Sequence, residues 1–160
     1  MADFDHAFAA LLGNEGGYSN NPADPGGETM WGVTARVARA HGYAGQMKDL
    51  PLSFGRAIAK AEYWDVIHGD DLPEEIAFQA FDAAYNGGHP VQWLQQAASV
   101  TVDGNFGPVT LAAVLAADPD KIVMRFDAYR LKYMKDLPTW PNFSRGWADR
   151  IANNLLRAAS

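Results

Sequence analysis

Glu15 stands where a carboxyl group can act as a general acid. Phe4, Phe8, Leu11 and Glu15 follow one another at steps of four, three and four residues, which is the spacing of one helix face. The spacing predicts that Glu15 lies on the buried face at the C-terminal end of a first helix. There the helix dipole and the loss of water both favour the neutral acid, as general acid catalysis requires. The alternative is a glutamate at a frayed helix end that hydrogen-bonds the following loop.

Residues 15–34, EGGYSNNPADPGGETMWGVT, carry the most specific pattern in the chain. They closely resemble the signature of glycoside hydrolase family 108, whose members are lysozyme-like muramidases that are often phage endolysins. Three later segments are similar to further parts of this family or of cell-wall proteins. DAAYNGG (82–88) resembles a helix end that faces the cleft, DGNFGPVT (103–110) a turn common in cell-wall proteins, and FSRGWADR (143–150) the end of the peptidoglycan-associated segment.

The resemblance covers nearly the whole chain and implies one lysozyme-like domain over residues 1–160. A catalytic half, residues 1–88, would carry a peptidoglycan-associated half, residues 89–160, packed on it, because no linker separates them. The implied activity is that of an N-acetylmuramidase. Such a peptidoglycan hydrolase cleaves the bond between N-acetylmuramic acid (MurNAc) and N-acetylglucosamine (GlcNAc), here in a phage endolysin that needs no cofactor. The implied partner is bacterial peptidoglycan.

Glycosidic cleavage also needs a group for the oxocarbenium-like centre opposite the acid. Asp24 lies nine residues after Glu15, across a glycine-rich turn, and a returning loop would place it there. Thr29 lies five residues further, and in phage-type lysozymes of similar spacing the threonine helps to place the attacking water. Glu28 is a rival carboxylate. Asp24 is equally compatible with a turn residue, because Asp-Pro-Gly-Gly is ordinary turn chemistry, and Thr29 with an ordinary loop residue.

Four further residues are candidates for contacts with sugar rings: Tyr18, Trp31, Tyr85 and Asn86. Aromatic faces pack on pyranose rings, and side-chain amides hydrogen-bond acetamido groups. Trp31 and Tyr85 are equally compatible with core aromatics. Asn86 comes just before two glycines, so it is also compatible with a residue that ends a helix.

The elements that position these groups are mainly helical. Residues 16–33 contain five glycines and two prolines, which predict an irregular loop or a small β-hairpin. Caps and prolines elsewhere predict a mainly α, lysozyme-like fold of about seven helices. The predicted boundaries are Asp3 to Glu15, Thr34 (cap) to His41, Ser53 (cap) to Ile67, Pro73 to Asn86, a start at Pro90, Pro108 to Ala117, Asp118 to the breakers Pro138 and Pro141 as the longest helix, and Phe143 to Arg157.

Composition excludes several other classes of protein. The 160 residues include 13 Lys and Arg against 19 Asp and Glu, a net charge of −6, so no basic surface for nucleic acid is expected. There is no cysteine, which excludes a disulfide scaffold, a thiolate zinc site and a cysteine nucleophile. The four histidines are isolated and form no His-Glu-x-x-His pattern, so no metal site is predicted. The Asp103-Gly104-Asn105 turn is interpreted as structural.

The sequence also predicts where the protein is made. No apolar run approaches the roughly 20 residues of a membrane span, and the N-terminus lacks the basic start and apolar core of a signal peptide. We therefore expect a monomer without a membrane anchor, made in the host cytoplasm. It would reach the periplasm or cell wall through a holin.

Two rival functions fit the same residues. A lytic transglycosylase uses one acid/base carboxyl, and a hydroxyl of the sugar attacks in place of water; this reading gains if Asp24 and Glu28 are both structural. A non-catalytic peptidoglycan-binding module would have a degenerate cleft. A neutral residue in place of Glu15 would support the second rival, and Glu15 is intact.

Overall fold

The computed structural model describes residues 1–13, 17–20 and 27–160 of the chain. As predicted, the described part is mainly α, with eight α-helices and one small antiparallel sheet. The elements are α1 (Phe4–Leu12), β1 (Thr29–Met30), β2 (Val33–Thr34), α2 (Ala35–Ala40), α3 (Leu52–Ala59), α4 (Glu74–Tyr85), α5 (Pro90–Ala97), α6 (Pro108–Ala116), α7 (Pro119–Met134) and α8 (Trp140–Ala158).

The helix starts follow the predicted capping chemistry at several points. The Asp3 side chain accepts a hydrogen bond from the backbone N–H of His6 at 2.9 Å and begins α1. The Thr34 hydroxyl accepts from the backbone N–H of Val37 at 3.3 Å and begins α2. Prolines open α5, α6 and α7, where a missing N–H costs nothing. These capping predictions are confirmed.

The end of α1 differs from the prediction. The helix ends at Leu12, and Gly13, with φ of 38°, forms the cap; its N–H donates to the Ala9 carbonyl at 3.1 Å. The sequence analysis placed the end at the Gly16-Gly17 pair, three residues too late, because Gly13 already supplies the backbone conformation that stops a helix. Glu15 and Asp24 lie outside the described residues.

Helices α3, α7 and α8 also differ from their predicted bounds, and α7 ends at Met134, before the predicted breaker Pro138. Helix α3 begins after Pro51, not Ser53, because the Pro51 carbonyl already accepts from the backbone N–H of Phe54 at 3.0 Å. It stops at Ala59, and a π-helical turn (Lys60–Trp64) follows. Helix α8, with 19 residues, is the longest in the described chain, not α7 with 16. Pro141 lies in its first turn, where proline is tolerated, so it does not break the helix.

The main core forms around α4, in which eight of twelve residues are buried. Trp64 and Phe81 meet edge to face, with ring centroids 5.4 Å apart, and Phe4 packs on both. The cluster continues to Phe126 on α7 and therefore joins elements from both parts of the chain. A second, small cluster lies beneath the sheet and is formed by Val33, Ala38, Met47, Leu50 and Ile58.

The sheet is a hairpin, the alternative that the sequence analysis gave for residues 16–33. Thr29 pairs with Thr34 and Met30 with Val33, across a two-residue turn in which Trp31 and Gly32 have φ of 54° and 72°. Positive φ at both positions is the type I′ geometry that suits a tight hairpin. Glycine is required at position 32 for two reasons. It adopts the positive φ without strain, and a Cβ there would overlap the ring of Tyr85.

An ionic network ties α4 to the C-terminal helices. The buried Asp82 carboxylate accepts from Arg130 Nη1 at 2.7 Å, Arg150 Nη1 at 2.9 Å and Asn154 Nδ2 at 2.8 Å. Arg130 is 3% exposed, so its charge depends on this partner. Asp82 thus joins α4, α7 and α8 directly beneath the end of α4 that carries Tyr85.

Candidate active-site cleft

A cleft of about 820 Å³ opens between the hairpin, the end of α1, the end of α4 and α8. Its volume is within the roughly 300–1,000 Å³ that is typical of ligand sites. Its described lining combines a polar hairpin edge with two tyrosines and two arginines. The lining residues are Leu11, Leu12, Thr29, Gly32, Thr34, Arg36, Val37, Tyr63, Ala84, Tyr85, Asn86, Gly87 and Arg150.

The structure brings together three of the predicted site residues in this cleft: Thr29, Tyr85 and Asn86. Thr29 is held by backbone hydrogen bonds with Ser19 at 2.8 and 3.0 Å, and by its pairing with Thr34 in the hairpin. Asn86 follows the last turn of α4, where its Nδ2 donates to the Asp82 carbonyl at 2.8 Å. Strand and helix end thus present these residues to the same space.

Tyr85 links the hairpin to α4. Its hydroxyl donates to the Trp31 carbonyl, and its ring meets Tyr63 edge to face with centroids 5.0 Å apart. Burial raises the pKa of Tyr85 well above its usual range, so it remains a neutral hydrogen-bond donor. Burial, with the nearby Glu62 charge, also raises the pKa of Tyr63. The tyrosines therefore offer the cleft aromatic surface without negative charge.

Trp31 does not line the cleft. Its indole Nε1 donates to the Leu50 carbonyl at 2.8 Å, and the side chain packs with the second cluster. The left-handed backbone of a bulky residue at this position is strained. The indole hydrogen bond holds the strained turn, and the turn holds the carbonyl that receives the Tyr85 hydroxyl.

Tyr18 and Glu28 are also outside the cleft. The Tyr18 hydroxyl donates to Glu28 Oε1 at 2.8 Å, and this hydrogen bond is the main reason that the pKa of Tyr18 is raised. The pair lines a separate cavity of about 500 Å³, whose walls also include Arg39 and Lys48. The structure thus separates Glu28 from Thr29, its neighbour in sequence, as expected for adjacent residues of an extended chain.

Among the polar residues of the cleft, the sequence analysis missed Arg36, Tyr63 and Arg150. Arg36 lies in the first turn of α2, and Tyr63 lies in the π-helical turn that was predicted as ordinary helix. Arg150 lies within the quoted segment 143–150, but nothing in that segment indicates that α8 returns to the end of α4. Asp82 lies near the end of the helix predicted from Pro73 to Asn86, and a buried carboxylate there needs a cationic partner. That need is the signal that could have pointed to Arg150.

The charge of the described lining is positive. Arg36 and Arg150 contribute guanidinium groups, and the part of the lining that the structure describes contains no carboxylate. Among residues 1–13, 17–20 and 27–160, no three His, Asp or Glu side chains converge on a possible metal position.

No described helix is both long enough and apolar enough to cross a bilayer.

Comparison with known proteins gives two adjoining family matches. Residues 8–88 match the sequence model of the family described as Glycosyl hydrolase 108, and residues 89–152 match the one described as Predicted Peptidoglycan domain. A solved structure of SagA from Brucella abortus is similar over 98% of this chain and 93% of that chain, with a TM-score of 0.89 and 33% sequence identity. No curated protein matches. The two family matches meet between α4 and α5, beside the cleft.

Proposed function

We propose that this chain, which belongs to the glycosyl hydrolase 108 family, is an N-acetylmuramidase that cleaves the MurNAc–GlcNAc bond of peptidoglycan. The family matches make the chain a glycoside hydrolase that acts on peptidoglycan. The bond, the catalytic residues and the biological setting are the proposal. Its lysozyme-like, mainly α architecture agrees with the family.

The cleft is the observation that carries the proposal. Leu12 lines it three residues before Glu15, and Thr29 lines it five residues after Asp24. Leu12 and Thr29, which flank the segment from Glu15 to Asp24 on its two sides, therefore border one cavity of substrate size. The opposite wall carries Tyr85 and Asn86, which supply an aromatic surface and an amide.

In the proposed reaction, Glu15 donates its proton to the glycosidic oxygen as that oxygen leaves with the GlcNAc product. The Asp24 carboxylate faces the anomeric carbon from the other side and stabilises the positive charge that develops there. A water molecule, placed by the Thr29 hydroxyl, supplies the new hydroxyl group of MurNAc. The proton released by the water restores the acid.

The opposite wall holds the sugars. Tyr85 and Tyr63 form one aromatic surface for a pyranose ring, and Asn86 hydrogen-bonds an acetamido group. Arg36 suits the carboxylates that the lactyl group and peptide stem of peptidoglycan carry. Trp31 acts through its contact with Tyr85, and we assign Tyr18, which sits in the separate cavity with Glu28, to the outer edge of the binding surface.

Product analysis tests this reaction against its closest rival. Purified peptidoglycan is digested, and the fragments are identified by mass spectrometry. A hydrolase leaves reducing MurNAc ends, which we expect, whereas a lytic transglycosylase leaves anhydro-MurNAc ends, which would contradict the proposal. Binding of the wall without any new ends would instead indicate a non-catalytic module.

We further propose that the chain is a phage endolysin whose access to the wall depends on a holin, and that it acts as a monomer. The resemblance to phage endolysins supports this setting. Expressed alone in the cytoplasm of a Gram-negative host, the protein should accumulate without rapid lysis. Chloroform, or co-expression of a pore-forming holin, should then trigger lysis. Prompt lysis on induction alone would contradict holin dependence.

A further inference from the structure

We infer that a second pocket, walled by aromatic rings of the C-terminal helices, is a carbohydrate subsite that takes one N-acetylated hexosamine ring of the glycan strand in the cleft. The inference rests on the proposed function, because it assumes that the strand is peptidoglycan. The pocket has a volume of about 330 Å³ and lies between the end of α4 and the helices α5, α7 and α8. That volume suits one ring, since it is at the small end of the roughly 300–1,000 Å³ range of ligand sites.

The pocket has two aromatic walls. Trp93 on α5 and Tyr133 on α7 form one wall, with ring centroids 5.6 Å apart. Phe143 and Trp147 on α8 form the other, stacked at 5.7 Å with 23° between their planes. Gly88 makes the first wall possible, because a Cβ there would come within 2.7 Å of the Trp93 ring. The stacked Phe143 and Trp147 rings suit the C–H face of a pyranose ring, and the Trp93 and Tyr133 rings, tilted by 56° to each other, form the apolar wall beside them.

The polar groups of the pocket favour a neutral sugar over an ion. Asn86 and Asn142 lie at its rim, and Tyr133 is 37% exposed, so amides and a hydroxyl are available to hydrogen-bond acetamido and hydroxyl groups. Arg130 and Arg150 also line the pocket, but both already donate to the Asp82 carboxylate, at 2.7 and 2.9 Å. A peptide stem would bring free carboxylates and requires an uncompensated cation there. The sugar ring is therefore the better match.

Gly146 keeps this pocket open. It lies inside α8, where glycine costs about 1 kcal/mol relative to alanine. No described atom lies within 4 Å of a Cβ built at Gly146, so helix packing gives no reason for a glycine. The residue lines the pocket and also a cavity bordered by Leu11, Asp82 and Asn154, so a larger side chain would take up space that the glycine leaves open.

The pocket is continuous with the cleft. Asn86, Gly87 and Arg150 line both cavities, so the two are separated only by the short rim that follows α4. A glycan strand that leaves the cleft over this rim enters the aromatic pocket. The C-terminal half thereby contributes directly to substrate binding at the same site.

Binding of a chitooligosaccharide tests the subsite without any cleavage. We would titrate the ¹⁵N-labelled protein with chitohexaose, a chain of GlcNAc units, and follow the indole N–H signals of its tryptophans. The signals of Trp93 and Trp147, which line the pocket, should shift, whereas that of Trp64, which is fully buried and lines neither cavity, should not. Gly146→Leu should weaken this binding about tenfold or more, and Gly146→Ala should bind within about twofold of the original chain. An unchanged Trp64 signal in both variants shows that the fold is intact.

Three results would overturn the subsite. These are chitohexaose binding that leaves Trp93 and Trp147 unshifted, equal binding by Gly146→Leu and Gly146→Ala, or the same shifts with a sugar-free stem peptide. The proposed function fails separately. If chitohexaose shifts both indole signals while peptidoglycan gains no new ends, the subsite stands and the muramidase proposal falls. If reducing ends appear but the two indole signals do not shift, the muramidase proposal stands and the subsite falls.

Discussion

The two cavities that meet at Asn86 and Gly87 are built in different ways. The cleft has one wall on a two-stranded hairpin, supported by a small separate cluster and a strained turn at Trp31. The aromatic pocket is set among long helices that the buried Asp82 network holds together. Thr29, which is proposed to place the attacking water, therefore lies on the hairpin, whereas the aromatic rings of the pocket lie on the helical frame formed by α4, α5, α7 and α8. This division is common, because loops on a rigid scaffold carry reactive groups with the least constraint on the fold.

The helical frame and the hairpin should differ in how far stability and function can be separated. A change in the helical frame should act on both cavities, because Asp82 contacts residues of each. A change in the hairpin should act on the cleft alone.

Asp82→Asn should have the largest effect, because it leaves the buried Arg130 charge without its partner. Breaking a buried ion pair in this way costs about 3–5 kcal/mol, so the free energy of unfolding should fall by that order in chemical denaturation. Both cavities should lose affinity for glycan. Glu75→Gln, an exposed carboxyl on the same helix, is the control and should change stability little. A drop no larger than the control's would show that the network does not join the two regions.

Asp24→Asn should lower the rate of wall cleavage about 10²-fold, as expected when a carboxylate acts on the transition state. Glu28→Gln should have a much smaller effect, because Glu28 accepts the Tyr18 hydrogen bond in a separate cavity. Initial rates on purified peptidoglycan, with circular dichroism to confirm folding, measure both. If Glu28→Gln is the more damaging, the two roles must be exchanged. If neither matters, the transglycosylase reading gains.

Replacing a glycine by alanine should change the free energy of unfolding in opposite directions in the two cavities. At Gly32 it meets a φ of 72° and the ring of Tyr85, so the free energy of unfolding should fall by about 1–3 kcal/mol and cleavage should slow. At Gly146 it meets open space within a helix and should raise the free energy of unfolding by up to about 1 kcal/mol. Thermal and chemical denaturation of the two variants give the sign directly. The same sign at both positions would contradict the division.

Asp127 on α7 should make the helical frame pH-dependent. Burial raises the pKa of this carboxyl to about 7, with Asp82 adding to the rise and Arg130 opposing it. Neither Asp127 oxygen has a hydrogen-bond partner among the described residues. The unfolded chain loses this proton near pH 4, so the folded state holds more protons between about pH 4 and 7. Its stability therefore falls as the pH rises through that window.

Between pH 5.5 and 6.5 the expected loss of unfolding free energy is about 1 kcal/mol. Asp127→Asn should remove it, and Asp149→Asn, an exposed carboxyl on α8, should not. Urea denaturation at the two pH values provides the measurement. An equal pH dependence in the Asp127→Asn variant would show that another group is responsible.

Local signals in the sequence predicted much of the fold. The Asp3 and Thr34 caps, the opening prolines and the helix that leads to Tyr85 depend on neighbouring residues, and the structure contains all of them. The errors arose where one local signal competed with another. Gly13 ends α1 before the Gly16-Gly17 pair. Pro141 was interpreted as a helix breaker, but it lies in the first turn of α8, where proline is tolerated.

The candidate site was less predictable, because it depends on contacts between distant parts of the chain. Thr29, Tyr85 and Asn86 do line one cleft, but only the structure shows that Trp31 supports the hairpin and that Tyr18 pairs with Glu28. Arg150 and the aromatic pocket require α8 to fold back on α4, which no local pattern specifies. Glu15 and Asp24 remain predictions from the sequence.

The central claim is that Glu15 is the general acid of a peptidoglycan hydrolase, and one substitution tests it most directly. Glu15→Gln keeps the size of the side chain but removes the proton that it would donate. We expect the initial rate of cleavage of purified peptidoglycan to fall by at least about 10²–10⁴-fold, while circular dichroism and chitohexaose binding stay unchanged. Cleavage near the original rate by a folded Glu15→Gln variant would contradict the account.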